Sequence, residues 1–378
     1  MLHFAINKNI FLQALNTTKR AITSKNAIPI LSTVKIDVSA EGITFTGSNG
    51  QISIENFVSV DDQNAGLLIT GEGSILLEAA FFINIVSSLP DINVEVKEIE
   101  QEQVLITSGK SEITLKGKNS EQYPRLQEIS SGQPLKLATK QLKEIINETA
   151  FAASSQESRP LLTGVHFSVE KDTILKTVAT DSHRLSQRKL DLEKVGDRFN
   201  VVIPSKSLRE FTSVFSDEIE TVELYFSHNQ ILFKSEYISF YTRLLEGNYP
   251  DTDRLIPKEY QTKVIFTVQE LRQAMERARL LSNATQNGTV KLEIVGGIVS
   301  SHVHSPEVGK VNEELDIISV EGDDLTISFN PTYLIDALKA LKSEQVVMSF
   351  ISPVRPFTLV PNENQEDFIQ LITPVRTN

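Results

Sequence analysis

Apolar residues along this chain switch six times from a spacing of two to a spacing of about four. Phe4/Ile6/Phe11, Ile75/Leu77/Phe82, Leu135/Leu137/Leu142, Val201/Ile203/Leu208, Val264/Phe266/Leu271 and Ile327/Phe329/Leu334 all follow one template. In five of the six the residue four further on is also apolar (Leu15, Val86, Ile146, Met275, Leu338), and Thr212 is the exception. Period two is a strand with one buried face, and period four is one face of a helix. Each switch predicts a strand running into a helix, over windows 7–25, 78–89, 138–152, 204–215, 267–282 and 330–343. Cap-type residues sit at the joins: in "FNPTYL", Asn330 then Pro331 reads as N-cap and first helical position.

The switches recur at intervals of 71, 60, 66, 63 and 63 residues. Between them the pattern alternates, as in "VKIDVSAEGITFTGSNGQISIENF" and "VELYFSHNQILFKSEYISFYTRL", with Gly-, Asn- or Asp-bearing turns separating short runs. That is the signature of antiparallel meanders. Each module therefore reads as strand, helix, then several strands. A coarser repeat lies above it. Tyr123-Pro124 and Tyr249-Pro250 are 126 residues apart, "PILSTVKIDV" matches "PLLTGVHFSV" at offset 131, and "TVKLEI" matches "TVKIDV" at offset 256. The chain should fold as an α+β protein of three tandem domains, 1–127, 128–254 and 255–378, each built from two modules.

Composition narrows the class. There is no Cys, which removes disulfides, thiolate-bound zinc and thiol catalysis and fits a reducing cytoplasm. The N-terminal stretch "MLHFAINKNIFLQAL" does not read as a signal peptide, and no apolar run approaches membrane-spanning length. The net charge of −12 argues against nucleic acid if charge is spread evenly. It is not. The six helical windows hold thirteen Lys/Arg against seven Asp/Glu, a net of +6, so the other 290 residues carry −18. Such an excess is either an ordinary solvated helix face or, if the helices share one face, a surface that attracts phosphates. No recognition helix or stacking-aromatic motif accompanies it, so any DNA affinity would be electrostatic and sequence-blind.

Candidate chemistry is thin. Asp181, Ser182 and His183 in "ATDSHRLS" are the residue types of a serine hydrolase. Adjacent residues cannot form its relay, however, and no G-x-S-x-G elbow is present. His302 and His304 in "SHVHSPE" would share a strand face but lack a third metal-spaced ligand, and read as a structural or surface pair. "GEGSIL" lacks both the third glycine of a dinucleotide site and a Walker lysine. No catalytic residue, cofactor or metal is expected. An enzyme using His183 or the histidine pair, and a repeat-built protein-binding scaffold that ignores DNA, are the competing readings. The tail "DFIQLITPVRTN" stays apolar almost to its end, as a last edge strand, a binding surface, or both.

"IPILSTVKI", "ATDSHRLS", "VIPSKSLREF", "EGNYPDTDRLIP", "SHVHSPEVGKVNEEL" and "LITPVR" closely resemble the bacterial DNA polymerase III beta-subunit family, the replicative sliding clamps. The resemblance runs through all three domains. It implies a head-to-tail dimeric ring with helices lining a hole around duplex DNA and sheets outside. It also implies a non-catalytic, cytoplasmic processivity factor, nucleoid-associated during replication, that tethers replicative and repair polymerases. Basic helix residues facing DNA would be Lys19, Arg20, Lys25, Lys140, Lys206, Arg209, Arg272, Arg277, Arg279, Lys339 and Lys342. Lys25 and Gln156 fall at DNA-contacting positions of the family, whereas an aromatic pair of some members is here Pro160-Leu161.

Partners of the family, polymerases and the clamp loader among them, insert short peptides between the middle and last domains. Carried over, that cleft comprises Leu162, Thr180, Ser182, His183, Arg184, Leu185, Pro250, Arg254, Leu255, Leu371, Ile372, Thr373, Pro374, Val375 and Arg376. The family often has Gly where Ser182 stands, and this chain ends in polar Thr377-Asn378. Ring closure would pair "KSEITLKG" with the 301–314 region. Ile113 and Leu115 would then pack on Leu280 and Leu281, with Lys110, Glu112, Glu307 and Lys310 at the rim.

Overall fold

The computed structural model describes the chain except residues 24–27, 91, 101, 125–128, 130–131, 170–172, 194–197, 285–287, 364–365 and 377–378. All six strand-to-helix switches form. The first module runs β1 (His3–Asn7), α1 (Lys8–Lys19), β2 (Thr33–Val38), β3 (Gly42–Ser48), β4 (Ile52–Ser59) and a short β5 (Leu68–Gly71). The second is β6 (Gly73–Glu78), α2 (Ala79–Ser88), β7 (Asn93–Glu100), β8 (Gln103–Ser108) and β9 (Ser111–Lys116). The third is β10 (Leu135–Ala138), α3 (Thr139–Thr149), β11 (Gly164–Val169), β12 (Ile174–Thr180) and β13 (Arg184–Asp191).

The fourth is β14 (Phe199–Pro204), α4 (Ser205–Val214), β15 (Thr221–Phe226), β16 (Gln230–Lys234) and β17 (Ile238–Arg243). The fifth is β18 (Thr262–Thr267), α5 (Val268–Ser282), β19 (Val290–Val295), β20 (Ile298–Ser305), β21 (Gly309–Glu314) and a short β22 (Ser319–Gly322). The sixth is β23 (Leu325–Phe329), α6 (Pro331–Ala340), β24 (Gln345–Phe350), β25 (Phe357–Pro361) and β26 (Phe368–Ile372).

Three of the joins are capped by side chains, Asn330 as the sequence predicts. Asn7 Oδ1 accepts from the Asn9 amide at 2.9 Å, Glu78 Oε2 from Phe81 at 2.7 Å and Asn330 Oδ1 from Thr332 at 2.9 Å. Pro331 occupies the first turn of α6, where its missing N–H costs nothing. The template positions are the core: Phe11, Phe82, Leu142, Leu208, Leu271 and Leu334 are all buried. Where Thr212 broke the pattern, Phe211 and Phe215 extend the buried stripe of α4 instead, their rings stacked 4.4 Å apart.

Backbone proximity divides the chain into two compact units, 1–140 with 210–244, and 141–209 with 245–378. The boundary passes through α3 after Lys140 and through α4 after Arg209. In the first unit, α1 and α2 pack on one another with Phe11, on α1, at the centre of an aromatic group with Phe4, Phe45 and Phe82. Its strands make a five-stranded sheet ordered β5-β1-β7-β8-β9 and an eight-stranded sheet ordered β10-β15-β16-β17-β4-β3-β2-β6. In the second unit α5 packs on α6. Its sheets are nine-stranded, β14-β11-β12-β13-β26-β25-β24-β18-β22, and four-stranded, β21-β20-β19-β23.

Two ladders run across the expected thirds of the chain. β17 pairs antiparallel with β4, Phe240 opposite Ile54, and β13 pairs antiparallel with β26, Leu185 opposite Leu371. The 127/128 junction lies outside the described residues. The 254/255 junction falls in a single 3₁₀ turn, Asp253–Leu255. Among the described residues no helix is long and apolar enough to cross a membrane.

Candidate peptide cleft, basic helices and open sheet edges

The β13–β26 ladder decides what "ATDSHRLS" becomes. It is the turn joining β12 to β13, and the ladder lays it beside the C-terminal tail. Arg184 pairs with Ile372 and Leu185 with Leu371, and beyond the strands the Thr373 amide donates to the His183 carbonyl at 2.8 Å. Two residues further on, the Val375 amide donates to the Ser328 carbonyl at 2.7 Å, which ties the tail to β23. Leu185, Leu371 and Val178 form a small apolar cluster of their own, with Tyr249 packed on it. Tyr249 stacks on His166 (centroids 5.0 Å, 11°), and its hydroxyl accepts from the Thr180 amide at 3.1 Å. Burial pushes that hydroxyl far above its usual range, so it stays neutral.

No relay exists in the turn. Asp181 Oδ1 accepts from the amides of His183 (2.9 Å) and Arg184 (3.0 Å), which is an Asx turn. Ser182 Oγ accepts from Arg159 Nη1 at 3.0 Å. The His183 ring lies parallel to Tyr333, centroids 6.2 Å apart. Each of the three residues has a separate structural task. Ser182 sits at φ +78°, in the left-handed region, which accounts for glycine being at home in this position.

Arg184 is enclosed. Its guanidinium lies over Phe151 and Tyr333, at 5.4 and 4.8 Å from the ring centroids. Its donors go to Asp181 (3.0 Å), Asp336 (2.7 Å) and the Phe151 carbonyl (2.9 Å). Ser186 and Arg188 continue the same strand face. Ser186 Oγ donates to the Glu148 carbonyl at 2.5 Å, and Arg188 Nε is 3.0 Å from Glu148 Oε2 but misaligned for a hydrogen bond. Burial pushes the Glu148 carboxyl up to about 7, against the opposing pull of Arg188. The last carbonyls of α3 and its 3₁₀ extension are thus held from β13, and Arg209 on α4 adds a bond to the Ala150 carbonyl at 3.2 Å.

The other predicted cleft residues divide by exposure. Leu162, Thr180, Leu185, Leu371 and Ile372 are buried, while Thr373, Pro374 and Val375 are half-buried. Ser182, His183, Pro250, Arg254 and Arg376 are exposed, as is Leu255, with 51 % of its surface open. Arg254 pairs with Asp251 at 2.8 Å. Thr377 and Asn378 lie outside the described residues. Sequence reasoning missed Phe151, Tyr249, Tyr333 and Asp336. Tyr249 had a signal, the repeated Tyr-Pro; Asp336 and Tyr333 had none beyond helix periodicity.

Every described basic residue of the DNA-facing set lies on or just beyond a helix, and Gln156 lies in the loop after α3 and its 3₁₀ extension. Lys19, Arg20, Lys140, Gln156, Lys206, Arg209, Arg277, Lys339 and Lys342 are exposed, and Arg272 and Arg279 are half-buried. Lys25 lies outside the described residues. Several carry acidic neighbours: Arg20–Glu210 at 3.5 Å, Lys206–Glu157 at 3.5 Å, Arg272–Glu276 at 3.8 Å and Lys342–Glu144 at 2.8 Å. Arg277 hydrogen-bonds Glu313 on β21, which holds its guanidinium above the usual range. Exposed pairs of this kind contribute at most about 1 kcal/mol, so phosphate can displace them.

The strands expected to close a ring are both sheet ends. β9 is last in its sheet and β21 last in its own. On β9, Ile113 and Leu115 are half-buried against the core of the first unit, while Glu112, and Lys110 just before it, are exposed. In the second unit Leu281 packs on the core and Leu280 is 75 % exposed; Glu307 and Lys310 are exposed. The His302/His304 pair lies alongside on β20. His302 bonds Ser300 (2.8 Å) and Asn312 (2.9 Å), and His304 faces Lys310.

Comparison with known proteins agrees with this architecture. Family models match in chain order: DNA polymerase III beta subunit N-terminal domain over residues 2–127, central domain over 136–251 and C-terminal domain over 253–376. The chain is 75 % identical to the beta sliding clamp of Streptococcus pneumoniae (strain TIGR4) over 378 residues, the whole of both chains. It is 57 % identical to that of Lactococcus lactis over 380 residues, again covering both completely. The crystal structure of the S. pneumoniae DNA polymerase III beta chain superposes with a TM-score of 0.98, covering all of both chains. The DNA polymerase sliding clamp of Bacillus subtilis, 40 % identical, gives 0.96 with the same coverage. This α+β chain, matched from end to end by the three domain models and by these relatives, therefore belongs to the DNA polymerase III beta-subunit family, the non-catalytic sliding clamps of DNA replication.

Proposed function

We propose that two copies of this chain close head-to-tail into a ring around duplex DNA, with β9 of one copy pairing β21 of the other. The thirds of the chain, 1–127, 128–254 and 255–378, are its three repeated domains. Support for closure lies in those strands: each is a terminal strand with one side of its ladder open, flanked by charge and by half-buried aliphatic residues. An open edge is a pairing template, and charged rims keep it from pairing indiscriminately.

DNA is held topologically, and the basic residues of five of the six helices touch only its phosphates. Weak, salt-sensitive, sequence-blind contacts permit sliding, and the surplus negative charge elsewhere discourages binding to other surfaces. The ring works in the cytoplasm, at the nucleoid during replication.

Replicative and repair polymerases, the clamp loader and other partners dock through short peptides in the cleft. The observation that carries this reading is the β13–β26 ladder. It lays the 180–185 turn beside the start of the 371–376 tail, over an apolar cluster on which Tyr249 also packs. Apolar anchors of an extended peptide would fill that cluster, and Arg and His stems would cover its rim. Anisotropy of a labelled peptide with two leucine anchors tests it. Leu185→Ser should weaken binding about tenfold or more, and unchanged binding would remove the cleft from the account.

A further inference from the structure

A second opening lies entirely in the first unit. It is a groove of about 690 Å³ between α1, the end of β4, residues 216–221 and the turn before β17. A smaller one of about 540 Å³ adjoins it, sharing Phe57, Asp62, Glu236 and Tyr237. Each volume is within the range of ligand sites, roughly 300–1,000 Å³.

The chemistry of its walls is one-sided. Asp61, Asp62, Glu218, Glu220 and Glu236 line the two openings, and the described lining residues include no Lys or Arg. An aromatic pair stands among these carboxylates. The Phe57 amide donates to the Tyr237 carbonyl at 2.8 Å, which places Tyr237, just before β17, opposite Phe57 on β4. Tyr237 is 48 % exposed although the backbone beneath it is fixed, and Phe57 is half-buried. On the α1 side, Ile10 and Ala14 add an apolar wall.

From this we infer that the groove is a second docking surface and that its occupant is an arginine-bearing segment of a partner protein. Charge complementarity selects a cation and rejects DNA, whose phosphates the five carboxylates repel. The aromatic pair selects arginine over lysine: a planar guanidinium stacks on a ring face while its N–H fork meets a carboxylate, which a compact ammonium cannot do. Among the described residues no three acidic or histidine side chains are grouped to hold a metal ion. Ile10, Ala14 and the Phe57 edge suit aliphatic residues between the arginines, which makes a peptide a better fit than a bare polyamine. The site is independent of the cleft.

Calorimetry with the full-length protein tests this, using a short synthetic peptide alternating arginine with leucine, the same peptide with citrulline for arginine, and spermidine. Wild type should bind the arginine peptide, with backbone amide shifts confined to residues 56–62 and 216–238. Asp62→Lys combined with Glu236→Lys should weaken it about tenfold or more, as should citrulline. Tyr237→Ala changes no charge and removes an exposed side chain, so it reads the aromatic contribution even if charge reversal disturbs folding. It too should lose several-fold affinity. No binding to wild type, binding indifferent to these changes, or spermidine matching the peptide would each overturn the inference.

Discussion

Arg184 donates to Asp336 at 2.7 Å with the same guanidinium that holds Asp181 and the Phe151 carbonyl. One side chain on β13 thus braces the cleft turn, the end of α3 and the face of α6. It acts as a positioning residue. Arg184→Ala would leave two carboxylates without their partner and should cost about 2–3 kcal/mol in chemical denaturation. Peptide affinity should fall with it. Asp336→Asn keeps the shape and should cost about 1 kcal/mol or less. Equal, negligible losses in both would show that the brace is not structural.

Ser182 occupies a left-handed conformation at φ +78°, where its amide donates to Thr180 Oγ1 at 3.1 Å and its exposed hydroxyl accepts from Arg159. Ser182→Gly relieves the strain and should raise stability by about 0.5–1 kcal/mol. Ser182→Val, β-branched in that region, should lower it by about 1–2 kcal/mol. Denaturation midpoints of the two variants read both signs.

Glu148 is an acid whose folded pKa is raised, to about 7, chiefly by burial. Its contribution to stability is therefore full below the unfolded value and is lost as pH rises toward 7. The loss is about 2–3 kcal/mol between roughly pH 4.5 and 7.5. Glu148→Gln removes the titration. The stability of wild type minus variant, from urea denaturation at pH 5 and pH 8, should move against wild type as pH rises, and a difference that stays flat contradicts the assignment.

Ile372 is buried and pairs with both Arg184 and Phe357, whereas Pro374 and Val375 are half-buried beyond the last strand. Truncation after Thr373 should keep the fold, with a midpoint close to wild type, and lose peptide binding about tenfold or more. A cut one strand residue earlier, removing Ile372 as well, should destabilise the second unit by several kcal/mol.

Much of this was legible in the sequence because each module repeats the same physics. Phe11, Phe82, Leu142, Leu208, Leu271 and Leu334 fall on one template, and every one is core. Chain-local signals, such as Asn330-Pro331, also read through. Pairings between distant strands did not. Nothing in "ATDSHRLS" says that Leu185 will face Leu371, or that Arg184 will reach Asp336 across 152 residues. Arg184 was expected among the cleft residues, but its guanidinium is occupied by Asp181 of its own turn, by Asp336 and Tyr333 of α6 and by Phe151 at the end of α3. The same limit explains Arg277, a basic helix residue whose nearest carboxylate, Glu313, lies on an edge strand.

The ring is the central claim, and retention on DNA of defined topology tests it most directly. Labelled protein is loaded on a nicked circle by a clamp loader and isolated by gel filtration, and the circle is then cut once by a restriction enzyme. The account predicts stable retention on the circle and release within minutes of linearisation, since only topology holds the DNA. Retention unchanged by the cut, or protein that never stays on the closed circle, would contradict it.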